Sequence, residues 1–191
     1  MALSTVATVV LALIGLGGLF YFVSVYNALV SLKNQIERAF ANIDVVLKQR
    51  FDEIPQLIEV AQQYAEFEAG LIQKLADART RYGAARSEGE KFAASNQMSS
   101  ALQGFFAIAE NYPALKTNEN FVHLQQRVSH LEGTLADRRE VYNDTVTLFN
   151  TRIEQLPDVF VARLLGYQAR YLFKIAESER VRPPLKVNLP K

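Results

Sequence analysis

Cysteine is absent from this 191-residue chain and histidine occurs only twice. The missing cysteine excludes disulfides, thiol catalysis, cysteine-ligated metals and a lipidated N-terminal cysteine. Neither sign of charge prevails, since 21 Lys and Arg stand against 20 Asp and Glu. No global field therefore draws the chain to nucleic acid or to an acidic partner. There is no G-x-S-x-G turn and no phosphate-cradling glycine loop outside the apolar N-terminus, so the common nucleophile and nucleotide signatures are missing as well.

Charge is also missing locally. Residues 1–32 hold no Asp, Glu, Lys, Arg or His, and the stretch from Val6 to Val25 is almost unbroken in apolar residues. About 20 helical residues at about 1.5 Å each cross a hydrocarbon layer of about 30 Å with every backbone hydrogen bond kept internal. The stretch is thus expected to be a transmembrane anchor ending near Tyr26, with Tyr21 and Tyr26 in the interfacial aromatic belt. A cleaved signal peptide needs a basic start, a shorter apolar run and a small-residue cleavage site, and the sequence offers none of these. Lys33, Arg38, Lys48 and Arg50 all follow the run, which by the flanking-charge rule favours a single pass with the rest of the chain on the cytoplasmic side of the inner membrane; a long C-terminal domain can translocate despite its charges, so the periplasmic side is the alternative.

Beyond the anchor the apolar residues recur at helical spacing: Ile36, Phe40, Ile43, Leu47, Phe51, Ile54, Ile58, Ala61, Ala65, then Ile72 and Leu75, with Glu68 in the same register. Lys48, Gln49, Glu59 and Gln62 fall on the opposite, wet side of this first long helix. Pro55 lies inside it and is expected to kink rather than end it. Gly83–Asn96, with Ser87, Glu88, Gly89 and Glu90, has the composition of a turn. A second helix carries Met98, Leu102, Phe105, Phe106, Ala109 and Tyr112 and stops before Pro113. A third begins at the N-cap Asn118, with Phe121, Leu124, Val128, Leu131, Leu135, Tyr142, Phe149, Ile153 and Leu156 on its seam, and stops or bends at Pro157. A fourth, amphipathic helix is expected over Val159–Ala176, and from Arg180 the prolines Pro183, Pro184 and Pro190 favour an extended tail. The fold class is all-α: an N-terminal transmembrane helix followed by an elongated antiparallel bundle of about four helices. The domains are the anchor at 1–30, the bundle at 31–180 and the Pro-rich tail at 181–191.

The string from Tyr26 to Glu68, YNALVSLKNQIERAFANIDVVLKQRFDEIPQLIEVAQQYAEFE, resembles the signature of the LemA family, with its Tyr-Asn pair, its I-D-V-x-L-K-x-R-x-D-x-I-P-x-L core and its Y-A-x-x-E end. A-E-N-Y-P at Ala109–Pro113, N-E-N-F at Asn118–Phe121, Arg138 and Arg139 followed by Tyr142 and Asn143, and Leu165-Gly166-Tyr167 agree with it. Phe40 stands where Trp is common, Phe149-Asn150 in place of a second Tyr-Asn pair, and Leu156-Pro157 in place of Phe-Pro. The resemblance implies a membrane-anchored bundle of long helices, found widely in bacteria, with no assigned reaction. One similar branch takes part in building the magnetosome membrane.

Among polar residues, Asp44, Lys48 and Asp52 are spaced four apart and form one charged stripe beside the seam. The stripe reads as a register-setting ion pair of Asp44 with Arg138 or Arg139, as a solvated row, or as a partner site. The residues singled out for structural or interaction roles are Asp44, Lys48, Arg50, Asp52, Pro55, Arg138, Arg139, Tyr142 and Asn143. His123 and His130 are seven residues apart, too far to ligate one metal together, and Glu119 with His123 gives two ligands only. Neither metal nor cofactor is expected, and no catalytic residue. Ser4, Thr8, Ala12 and Gly15 make a ridge of small residues that would allow spans to associate. The expected function is a non-enzymatic membrane scaffold, with an adaptor for a membrane protease or sensor as the alternative and a metal-binding bundle enzyme as a more distant one. The expected partners are the lipid bilayer, a second copy of the chain, or another envelope protein.

Overall fold

The computed structural model describes residues 2–64 and 69–174, with side chains from residue 5. Six helices follow in order: α1 (Ala2–Gln62), α2 (Ala69–Ala84), α3 (Glu88–Ala109), α4 (Pro113–Lys116), α5 (Glu119–Glu154) and α6 (Asp158–Leu164). No strand occurs among the described residues. The chain gathers into two compact units. Among the described residues, one holds α1 up to Asn42 together with Arg138–Leu172, and the other holds Ile43–Asp137 with Phe173 and Lys174.

The second unit carries the larger core. Ile54, Leu57, Ala61, Leu75, Met98, Leu102, Phe105, Leu115, Phe121 and Val128 are buried together. Each fully buried side chain of this size stabilises the unit by roughly 1.5–3 kcal/mol. Polar contacts fix the helix directions. Arg50 meets Glu132, Glu53 meets Arg127 and Tyr64 meets Asn118, so α1 and α5 run antiparallel here. Asp44 meets Lys91, Arg50 meets Ser99 and Tyr64 meets Ala114, which makes α1 and α3 parallel. With α2 returning between them, the unit is an up-down-up-down bundle of α1, α2, α3 and α5, in which neighbours joined by short connections are antiparallel.

The seam along α1 holds: Ile36, Ile43, Leu47, Ile54 and Ala61 are all buried, and α1 continues through Pro55. The structure differs from expectation at three boundaries. The first helix does not reach Leu75 but ends at Gln62, where the N–H groups of Gln63 and Tyr64 tighten onto the carbonyls three residues back. Ala65 and Glu68 lie outside the described residues, while Leu75 is buried on a separate helix, α2. Of Gly83–Asn96, expected as a turn, Gly83 and Ala84 close α2 and Glu88 to Asn96 open α3, which leaves only 85–87 between the helices. Ser87 Oγ accepts from the Glu90 N–H at 3.2 Å and the Glu90 carboxylate accepts from the Ser87 N–H at 3.2 Å, a reciprocal capping box. The N–H of Arg86, at 2.7 Å, and then that of Ser87 hold the Glu90 carboxyl below its usual range. Finally, the fourth helix stops at Leu164. Gly166 takes a φ of +69°, and the N–H of Tyr167 reaches back to the Ala162 carbonyl at 3.0 Å, so the glycine ends the helix instead of lying within it. The expected tail at 181–191 lies outside the described residues.

Other expectations hold. Asn118 Oδ1 accepts from the Phe121 N–H at 3.0 Å as the N-cap of α5, and Pro113 opens α4 after α3 has ended. In the first unit Val25, Leu29, Leu32 and Ile36 of α1 are buried, as are Tyr142, Val146, Phe149 and Ile153 of α5. Tyr21 meets Asp158 and the ring of Phe40 lies 6.4 Å from that of Tyr142, so the chain is antiparallel to α1 in this unit too. Leu156, expected on the seam, is exposed. The apolar part of α1 before Val25 lies outside the protein core: Leu11, Leu13, Ile14, Leu16, Leu19 and Phe20 are all exposed.

Candidate functional site

The most unusual feature of the second unit is a line of polar side chains rising along α1 into the bundle. It starts at Asp44, whose Oδ1 accepts a hydrogen bond from Tyr82 at 3.0 Å and an ion pair from Lys91 at 2.6 Å. Burial of the Tyr82 hydroxyl, reinforced by the neighbouring Asp44 carboxylate, pushes its pKa well above the usual phenol value. Asp44 therefore couples α1 to α2 and α3, whereas Arg138 and Arg139 on α5 were the partners expected. Lys48 and Asp52, its neighbours on the stripe, are exposed.

Two turns further on lies Arg50, only 2% exposed. Its guanidinium donates to Ser99 Oγ at 2.9 Å, to the Ser95 carbonyl and Oγ at 3.0 Å each, and to the Glu132 carboxylate. A buried cation is costly unless both its charge and its N–H groups are satisfied, and here two helices, α3 and α5, supply the acceptors. Arg fits because its planar fork can address acceptors on different helices at once. Glu53, one turn later, is also buried and pairs with Arg127 through one oxygen, while its second oxygen is buried with no hydrogen-bond partner among the described residues. Pro55 follows within the same helix.

Of the residues singled out from the sequence, the structure thus brings Asp44 and Arg50 into polar contacts between helices. Arg139 and Tyr142 are buried in the first unit, where Tyr142 donates to the Tyr171 carbonyl at 3.1 Å, and Arg138 is exposed. Asn143 is half-buried. Several contributors were missed: Tyr82, Lys91, Ser95, Ser99, Glu132, and the pair Glu53 and Arg127. Ser95 and Ser99 carried a signal, since two small hydroxyls four apart share one face of a helix otherwise lined by Met98, Leu102 and Phe105. Asn150 was also missed as a clamp. Its side-chain amide accepts from the Arg170 N–H at 2.8 Å and donates to the Arg170 carbonyl at 2.9 Å, holding the extended segment after α6. Tyr167 packs edge-on against Phe149 there, and Phe173 stacks on Phe92 with ring centres 3.8 Å apart.

His123 and His130 are exposed and line an open groove of about 550 Å³ with Gln49, Asp52, Glu53, Gln126, Arg127 and Leu131. Among the described residues no group of three or more His, Asp or Glu is placed to hold a metal ion. In the apolar part of α1, Thr8, Ala12 and Gly15 are exposed, and the Ser4 side chain lies outside the described residues.

The family model of the LemA family matches residues 39–188. Among curated proteins the chain is 21% identical to Magnetosome protein MamQ 2 of Paramagnetospirillum magneticum, over 78% of this chain and 64% of that protein. It is 20% identical to Magnetosome protein MamQ of Magnetospirillum gryphiswaldense, over 75% and 62%. It is 25% identical to Protein LemA of Metamycoplasma hominis, over 86% and 76%. The chain thus spans somewhat less than two thirds of the length of the magnetosome relatives.

Proposed function

The chain belongs to the LemA family, and on that premise we propose that it is a membrane-associated, non-enzymatic helical scaffold, a single-pass protein of the inner membrane whose bundle faces the cytoplasm. The observation that carries this reading is how the polar residues of the signature are used. Arg50 and Asp44 direct their charges to serines, a tyrosine, Lys91 and Glu132 within the protein, which supports a role in holding helices in register rather than in addressing a substrate. The exposed apolar run of α1 supports the anchor, because a soluble core helix would bury such side chains. Lys33 and Arg38, the first positive charges after that run, support the cytoplasmic side. The magnetosome relatives lend weight to a role in organising a membrane region.

Crosslinking in intact native membranes, followed by affinity purification and identification of every species above monomer mass, tests the proposal. A ladder of the chain with itself supports a self-associating scaffold. One stable heterologous band replaces it with an adaptor serving the captured protein, and monomer alone contradicts both.

A further inference from the structure

Next to the apolar run lies a second apolar surface that the bundle leaves uncovered. Phe160 is 66% and Leu164 73% exposed, and their spacing of four puts them on one side of α6, while Leu156 in the turn before it is 75% exposed. The opposite side is the one that packs: Asp158, Val161 and Ala162 are buried. Such a short element, with its apolar residues outward, is unfavourable in water.

Its position is pinned by one hydrogen bond. Tyr21 Oη donates to Asp158 Oδ1 at 2.6 Å, and Arg152 holds the other carboxylate oxygen at 2.7 Å. Tyr21 belongs to the last turns of the apolar run, and Val25, one turn later, is the first buried residue of α1 among the described side chains. At about 1.5 Å per residue, Tyr21 lies only about 6 Å along the helix from that point. A tyrosine there, with an apolar ring and a polar tip, belongs in the headgroup layer.

We infer that Leu156, Phe160 and Leu164 form a second membrane contact, inserted into the interfacial layer of the same bilayer that α1 crosses. The inference rests on α1 being the anchor. Continuity selects lipid as the occupant, because a surface fastened beside Tyr21 meets the bilayer without any further partner. Asp158 can approach that layer because Tyr21 and Arg152 satisfy its charge, and the exposed Arg163 beside it suits phosphate headgroups.

The chain contains no tryptophan, so each introduced one is the sole reporter. Phe160→Trp, Leu164→Trp and, in the middle of the run, Val10→Trp are made in the full chain and reconstituted in phosphatidylcholine vesicles brominated either near the glycerol or near the chain ends. Phe160→Trp and Leu164→Trp are expected to lose roughly half of their emission with shallow bromine and little with deep bromine, as for an element lying about 5–10 Å into the boundary. Val10→Trp is expected to respond most to deep bromine. If Val10→Trp is quenched and both α6 reporters are not, the second contact is overturned while the anchor stands. Blue-shifted but unquenched α6 emission would assign the surface to a protein instead, and no quenching at any position would overturn the anchor as well.

Discussion

Along α1 the protein shows two opposite ways of placing side chains. Before Val25 the helix carries no charge and is mostly apolar, and from Val6 to Phe20 its large side chains are exposed. From Ile43 onward it mixes charged and apolar residues, yet Arg50 and Glu53 are among the most buried side chains in the protein. A helix apolar all round needs an apolar solvent, whereas a helix with one apolar face needs partner helices that also satisfy whatever charges fall near the seam. Residue composition alone would rank these two halves wrongly for burial.

The comparison can be broken most severely at Ile43, which is fully buried. Ile43→Asp places an unpaired charge inside the second unit and is expected to cost about 4 kcal/mol or more, enough to lose cooperative melting by circular dichroism. The same change at exposed Ile14 should leave the melt of the bundle intact and instead weaken retention in membranes. Arg50→Ala is expected to cost about 2–4 kcal/mol, because Ser95, Ser99 and Glu132 lose a shared donor. Glu53→Leu is the informative contrast. Arg127 remains in water when its partner is removed, so chemical denaturation should find this variant within about 1 kcal/mol of the parent.

Smaller effects sharpen the picture. Asp44→Ala is expected to lower stability by about 1 kcal/mol or less, since both Asp44 and Lys91 are partly exposed, and an unchanged melting temperature would make that contact incidental. In the first unit, burial raises the Asp158 pKa, but the hydrogen bonds from Tyr21 and Arg152 outweigh it and the net shift is downward. A carboxylate held low in the folded state contributes stability above its ordinary range, and that contribution is lost as the pH falls through its lower folded value. Asp158→Asn should therefore flatten the acid limb of a stability profile in detergent, and an unaltered limb would remove this group from the account.

Much of the fold could be read from the sequence because it rests on period. The seam from Ile36 to Ala61 and the one from Phe121 to Ile153 are set by the 3.6-residue repeat, and Pro113 and Asn118 act through local chemistry. The turnover after Gln62 escaped because the apolar rhythm resumes in phase at Ile72 and Leu75, with no proline there to mark it. Ser87 to Glu90 and Gly166 did carry signals, a capping box and a left-handed stop, that composition alone obscured. Arg50 lay in a recognisable pattern, but its partners come from α3 and α5, and contacts so distant in sequence leave no periodic trace.

The absence of cysteine makes the central comparison directly measurable. Single cysteines placed along α1 in the full chain, in native membranes, would be challenged with a water-soluble maleimide. The account predicts protection at every position from Val6 to Phe20, lifted only by solubilising the membrane, and protection every three or four residues from Ile43 to Ala61 that persists until the protein unfolds. Uniform labelling from Val6 to Phe20 in intact membranes would contradict it.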